Sequence, residues 1–249
     1  MSVVPHEKRG KGRLSRKDKL LLSSSMVSFY FQESFFRLRT AVEQAPVSDH
    51  SKQGRVLLVT SVTEGEGKST VASNLAMALA KKYRAVMLID ADLRNPTQIR
   101  LLGRKAMGKE GLDRLLQGTD LSENRVMQAA AYDEETNLVT LISETPCRNA
   151  AKLLASPNMA ELLSVVRKTM DYVIIDSSPM GMFADGDMLA DVADHTLLVV
   201  RQDVVSACDI NDAIDAISQG KATFLGCVLN NMQTCLLYTS PSPRDGLLS

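Results

Sequence analysis

A glycine-rich stretch, Gly65-Glu66-Gly67-Lys68-Ser69-Thr70, lies between a short apolar run, Arg55-Val-Leu-Leu-Val-Thr60, and a segment rich in alanine and leucine. Glycines at 65 and 67 permit backbone conformations and a close approach that a Cβ would obstruct. Successive amide hydrogens then point inward around phosphate oxygens, assisted by the N-terminus of the following helix. Lys68 is placed to hold β- and γ-phosphates, Ser69 to offer its hydroxyl to Mg²⁺, and Thr70 to bond the phosphate nearer the ribose. The chemistry is that of an ATP-type phosphate loop. Glu66 is an acid inside a loop that must bind a polyanion, so its side chain is expected to point away, toward solvent or a neighbouring subunit.

Two further motifs supply carboxylates. Val86-Met-Leu-Ile-Asp90-Ala-Asp92-Leu-Arg94-Asn-Pro96 places two acids two residues apart after an apolar run. Both then approach one metal-phosphate centre, one acting on the Mg²⁺ shell and the other polarising or deprotonating an incoming hydroxyl. Arg94 is a candidate either for neutralising phosphate charge or for anchoring the loop. Tyr172-Val-Ile-Ile-Asp176-Ser-Ser-Pro179 ends a second apolar run on an acid, the pattern of an aspartate that holds Mg²⁺ directly or through water.

The elements that must position these groups follow from periodicity. Strands are expected at 55–60, 85–89, 138–143, 172–175, 196–200 and 224–229. Helices are expected at 28–43, 71–81, 98–102, 111–116, 150–168 with a break near Pro157, 186–192 and 208–217. Strands alternating with helices imply an α/β domain with a mainly parallel sheet covered by helices on both faces. Asp90, Asp176 and the glycine loop then share the carboxyl edge, where open α/β sheets bind ligands.

Composition narrows the class. A chain of 249 residues, 45% apolar, accommodates one α/β domain of this size and not two large ones. The 29 basic and 29 acidic side chains cancel, which removes any global attraction to nucleic acid. Residues 7–19 hold seven Lys or Arg against two acids, and residues 1–25 as a whole read as a basic, flexible arm. No apolar run approaches the roughly 20 residues needed to span a bilayer. Cys147, Cys208, Cys227 and Cys235 are scattered, without the pairing of a zinc or redox site. His195, at the mouth of an apolar run, is expected to be an edge or loop residue. Cys235–Asp245 corresponds without a mismatch to one reading frame of a transposase-type sequencing adapter. Residues 235–249 are therefore expected to be foreign, leaving 26–234 as the folded domain.

From about Glu33 to Asn231 the chain resembles the cytoplasmic domain of bacterial tyrosine kinases, regulators of capsule and exopolysaccharide synthesis. The matching stretches are Ser61–Thr70, Leu88–Pro96 and Val173–Pro179, supported by Gly111–Gly118, Lys152–Pro157 and Gly226–Asn230. The resemblance implies a P-loop NTPase fold of the partitioning-ATPase type. It also implies tyrosine autophosphorylation by Mg-ATP between subunits of a ring, and cooperation with a separate membrane-embedded regulator of polysaccharide chain length. The domain itself would be cytoplasmic, recruited to the inner face of the membrane. It implies Lys68, Asp90, Asp92 and Asp176 as catalytic, with Asp90 activating the tyrosine hydroxyl and Asp92 beside it, and Ser69, Asp90, Asp92 and Asp176 as metal-associated. Glu64 to Thr70 and Asn230 would hold the nucleotide.

Three departures stand out. Glu64 replaces a proline common in the family, and Asp176-Ser-Ser-Pro179 replaces Asp-Thr-Pro-Pro. In the N-terminal oligomerisation pattern Glu33 and Arg39 fit, but Phe36 stands at the first arginine, with Arg37 one position on. An altered ring interface is expected. The competing class, partitioning and division-site ATPases, carries a lysine where this chain has Thr63, and a threonine supplies no charge across a dimer interface. A dinucleotide-binding dehydrogenase is disfavoured, because its glycine fingerprint does not require a lysine at the loop.

Overall fold

A computed structural model describes residues 2–7, 19–46, 54–103 and 107–233. Among these, eight strands form one sheet in the order β1-β8-β7-β2-β6-β3-β5-β4. They are β1 (Ser2–Pro5), β2 (Arg55–Ser61), β3 (Val86–Asp90), β4 (Ala131–Asp133), β5 (Leu138–Leu141), β6 (Tyr172–Asp176), β7 (His195–Arg201) and β8 (Thr223–Met232). Only the β4–β5 pair is antiparallel.

The apolar runs become buried parallel strands because their alternate side chains serve two different cores. Val56 and Leu58 of β2, with Met87 and Ile89 of β3, face one layer. That layer contains α4 (Leu112–Gln117), α6 (Ala150–Leu154), α7 (Pro157–Val166) and α8 (Asp185–Ala190). Leu57 and Val59, with Val86 and Leu88, face α1 (Phe29–Glu43) and α2 (Lys68–Ala80) on the other side. Helix α1 presents Phe31, Phe35, Leu38 and Val42 at helical spacing, and Ser28 caps it by accepting from the Phe31 amide. Helix α9 (Ala207–Gln219) packs on β7 and β8. The break near Pro157 is a true junction, with Pro157 opening α7 where its missing N–H costs nothing.

The chain runs from β2 to one side of the sheet and later returns to its other side through β7. The reversal of strand order therefore falls beside β2, and the glycine loop leaves the carboxyl end of that strand. This is where side chains from separate segments meet a ligand.

Four features differ from the expectations. Ser2–Pro5 forms an edge strand on β8, and Leu21 and Leu22 are buried, held in part by Asn74. The first 25 residues are thus not wholly an arm; the basic stretch 8–18 lies outside the described residues, as does the adapter-like segment 235–249. A four-residue strand ending in proline carries too little periodicity to be recognised. Strand β4 and helix α5 (Glu123–Ala129) were equally cryptic, being short and polar. His195 is neither edge nor loop: it opens the internal strand β7, is buried, and its Nε2 lies 2.8 Å from the Pro46 carbonyl oxygen. Among the described residues no helix is long and apolar enough to cross a membrane.

Candidate functional site

The loop between β2 and α2 has Gly65 at φ +83° and Gly67 at φ +89°, both in the left-handed region that disfavours other residues. At Gly67 a Cβ would also sit 2.2 Å from Asn230 Nδ2. That amide donates to the Glu66 carbonyl at 2.8 Å, so Asn230 braces the loop from the end of β8. Glu66 does not point to solvent or to a neighbour. It is fully buried, accepting from the Thr63 amide at 2.6 Å and from the Arg201 amide at 3.1 Å. The acid turns beneath the loop and satisfies backbone donors, which keeps its charge off the phosphate side.

Lys68, at the head of α2, reaches Asp92 with Nζ 2.8 Å from Oδ2. Burial disfavours its charge, but the Asp176, Asp92 and Asp90 carboxylates outweigh burial and hold its pKa above the ordinary lysine value. Asp90 and Asp176 sit in register on the adjacent strands β3 and β6. Burial, and then the charge of Asp176, hold the Asp90 carboxyl well above the usual range. Burial likewise raises Asp176, against the lowering pull of Lys68.

The two acids of the β3 end take different environments. Asp90 is enclosed, its Oδ1 accepting from the Asp92 amide at 3.2 Å and its Oδ2 from the Gln98 amide at 3.0 Å. Asp92 instead lines a cavity of about 510 Å³ together with Lys68, Ser69, Thr70 and Glu64.

Several partners were invisible in the motifs. Gln98, the first residue of α3 (Gln98–Leu102), donates from Nε2 to Asp176 Oδ2 at 2.8 Å and to the Ser69 carbonyl at 3.0 Å. Thr97 donates its hydroxyl to Ser69 Oγ at 2.8 Å. Ser178 donates to Asp92 Oδ1 at 3.0 Å. No spacing rule marks these residues, because the fold alone brings them to the loop.

Arg94 proves to be an anchor. Its guanidinium grips Asp185 at 2.6 and 3.0 Å and stacks on Phe183, 4.4 Å from the ring centroid. Asp185 is fully buried while the Arg94 side chain remains 33% exposed. Arg94→Ala is expected to lower stability by roughly 2–3 kcal/mol, below the value for a wholly buried pair because one partner is partly solvated. Thermal denaturation checks this, and the double variant Arg94→Ala/Asp185→Asn should recover much of the loss.

The donor set suits a hydrated magnesium ion. Asp176 Oδ1 is buried without a hydrogen-bond partner, an acceptor-only oxygen that a cation or its water would satisfy. Among the described residues no three His, Cys, Asp or Glu side chains form a self-sufficient metal cage. Mg²⁺ characteristically takes one or two protein ligands and completes its shell with phosphate oxygens and water.

A left-handed glycine loop at the sheet's switch point, facing aspartates on two neighbouring strand ends, defines an α/β P-loop NTPase. Consistent with that class, the family described as ParA: NUBPL iron-transfer P-loop NTPase matches residues 52–242. The chain is 32% identical to the tyrosine-protein kinase YwqD of Bacillus subtilis strain 168, across 88% of this chain and 89% of that protein. It is 33% identical to the tyrosine-protein kinase CpsD of Streptococcus pneumoniae serotype 4, across 72% of this chain and 76% of that one. The kinase domain of the Escherichia coli tyrosine kinase ETK superposes with a TM-score of 0.79, covering 96% of this chain and 93% of that domain. At 23% identity that likeness speaks for the fold. The chain belongs to the bacterial tyrosine kinases, P-loop enzymes whose members act in capsule and exopolysaccharide biosynthesis.

Proposed function

We propose that this chain is an ATP-dependent protein tyrosine autokinase regulating synthesis and export of a capsular or extracellular polysaccharide. The observation that carries the reading is the Lys68 ammonium, held at the phosphate loop within reach of Asp92, with Asp90 and Asp176 packed behind it. The Thr63 position favours this reading over a partitioning-type ATPase. Its amide and hydroxyl are both engaged by Glu66 within the loop, and it has no charge to offer a partner's nucleotide.

In this reading the loop amides and Lys68 hold the β- and γ-phosphates of ATP, and Thr70 holds the phosphate nearer the ribose. Ser69 and Asp176, with Asp90 behind them, would hold Mg²⁺, which when bound neutralises charge on the bridging phosphates. An arriving phosphate competes with Asp92 for the lysine. Asp92, freed within the cavity, accepts the proton of an incoming tyrosine hydroxyl. The phenolic oxygen bonds to the γ-phosphorus as the bond to the β–γ bridging oxygen breaks, leaving ADP. Asp90, which the resemblance would make the activating acid, is enclosed with both oxygens engaged and instead positions Asp92 by accepting from its amide. The kinase works as a ring of copies, with Glu33, Phe36 and Arg37 on the outer part of α1 giving an interface altered from the family pattern. A separate membrane-embedded chain-length regulator recruits it to the cytoplasmic face of the membrane.

Among the described residues Tyr172 is buried, and the exposed Tyr30 and Tyr132 each stand alone in the sequence and form no tyrosine cluster. The 249-residue chain is therefore expected to bind Mg-ATP but to autophosphorylate weakly. To test the reading, a Lys68→Met copy carrying an appended tyrosine-rich tail is mixed with the unaltered chain and Mg-ATP. Phosphotyrosine on the inactive copy is expected. ATP hydrolysis without any labelling of that tail would favour the ATPase alternative.

A further inference from the structure

A second cavity, of about 380 Å³, opens on the other flank of the glycine loop, beside Thr70. Among the described residues, none of Asp90, Asp92 and Asp176 lines it. Its walls include Phe31 and Phe35 from α1, Arg201 and Asn230 from the ends of β7 and β8, and His6 and Glu7 from the chain following β1. The volume lies within the range of small-ligand pockets, roughly 300–1,000 Å³.

We propose that the N-terminal strand belongs to the nucleotide site, with His6 and Glu7 forming the wall that reads the ribose of the bound nucleotide. The inference rests on reading the glycine loop as a nucleoside-triphosphate site, and it adds an element that none of the phosphate-binding motifs contains.

The topology is the first support. Strand β1 runs parallel to β8, pairing Ser2 with Val228 and Val3 with Leu229, so its end emerges at the same carboxyl edge as the loop. Both residues beyond it are fixed there. The His6 amide donates to the Met232 carbonyl at 2.8 Å, and His6 Nδ1 lies 2.6 Å from Asn231 Oδ1. Glu7 is 9% exposed, and its carboxylate accepts from the hydroxyl of Ser28, the cap of α1. A short N-terminal segment is thus tied to both β8 and α1 around one cavity.

Chemistry is the second support. A carboxylate at the mouth of a phosphate site repels the triphosphate, and its oxygens only accept hydrogen bonds. The part of a nucleotide with hydroxyl donors to offer is the ribose, which follows the phosphate nearest Thr70. Glu7 stands on that flank and not on the Lys68 flank.

Calorimetric titration tests this with three probes at fixed Mg²⁺: ADP, 2′,3′-dideoxy-ADP and inorganic tripolyphosphate. The proteins are the unaltered chain, His6→Ala, Glu7→Ala and Glu7→Gln, the last retaining an acceptor for Ser28. Each Glu7 variant is expected to bind ADP about 10-fold more weakly and to lose the preference for ADP over its dideoxy analogue. Binding of tripolyphosphate, which has no ribose, should be unchanged or slightly tighter in each. If Glu7→Gln and His6→Ala keep full ADP affinity and full ribose discrimination, the N-terminal strand has no such role. Should the unaltered chain bind neither ADP nor tripolyphosphate, the phosphate-loop reading itself falls, and this inference with it.

Discussion

Lys68→Met is expected to reduce phosphoryl transfer by about 10³-fold or more, because the ammonium is the positive charge placed to meet the developing charge on the transferred group. The side chain is 10% exposed and bonded to Asp92, so its loss also leaves buried carboxylates without their counter-ion. A lowered melting temperature should accompany the lost activity. Adding Asp92→Asn should restore part of the stability and none of the activity. Steady-state kinetics and thermal denaturation on the two variants check both halves. Near-normal transfer by Lys68→Met would remove the lysine from the chemistry.

Asp176→Asn should have effects of opposite sign on the two properties. Transfer is expected to fall by about 10²-fold or more if the carboxylate serves the metal centre. Stability should rise at neutral pH. Asp176 is buried opposite Asp90 in the strand register, and its folded-state pKa is raised, chiefly by burial. A raised carboxylate pKa means that the folded state prefers the protonated acid. That preference stabilises fully below the ordinary aspartate pKa and is lost as pH rises through the elevated folded value. An asparagine keeps the acceptor for Gln98 and carries no charge, so it escapes the loss. The melting temperature should therefore exceed that of the unaltered chain at pH 7.5, by about 2–4 °C for each kcal/mol in a domain of this size. The gap should close only as pH falls below the ordinary aspartate pKa, where Asp176 is protonated in both states. A lower melting temperature at pH 7.5 would mean that the charge is compensated after all.

How far the sequence carried this picture depended on periodicity. The buried strands β2, β3, β6 and β7 were legible because unbroken β-branched and aliphatic runs end on loop or acidic residues, and their parallel arrangement followed from β–α alternation. Lys68, Ser69, Asp90, Asp92 and Asp176 converge because the first four flank strand ends beside the switch point and the fifth ends the neighbouring strand. Much of what stayed hidden has one physical cause: groups whose partners are distant in sequence leave no local signal. Gln98 meets Asp176 across 78 positions, Arg94 meets Asp185 across 91, and Asn230 braces Glu66 across 164. Glu66 misled because a lone acid in an anion-binding loop gives no sign of the backbone amides at 63 and 201 that receive it. The N-terminal strand escaped notice because four residues ending in proline look the same in a basic arm and in a sheet edge.

Phosphoamino-acid analysis tests the central claim most directly. The purified chain is incubated with Mg-ATP labelled at the γ-phosphate and a random glutamate–tyrosine copolymer, and the acid hydrolysate is separated. Label is expected in phosphotyrosine with the unaltered chain and is expected to be absent when Lys68→Met replaces it. Label found only in inorganic phosphate, with none in phosphotyrosine even at saturating copolymer, would contradict that claim and leave an ATPase in its place.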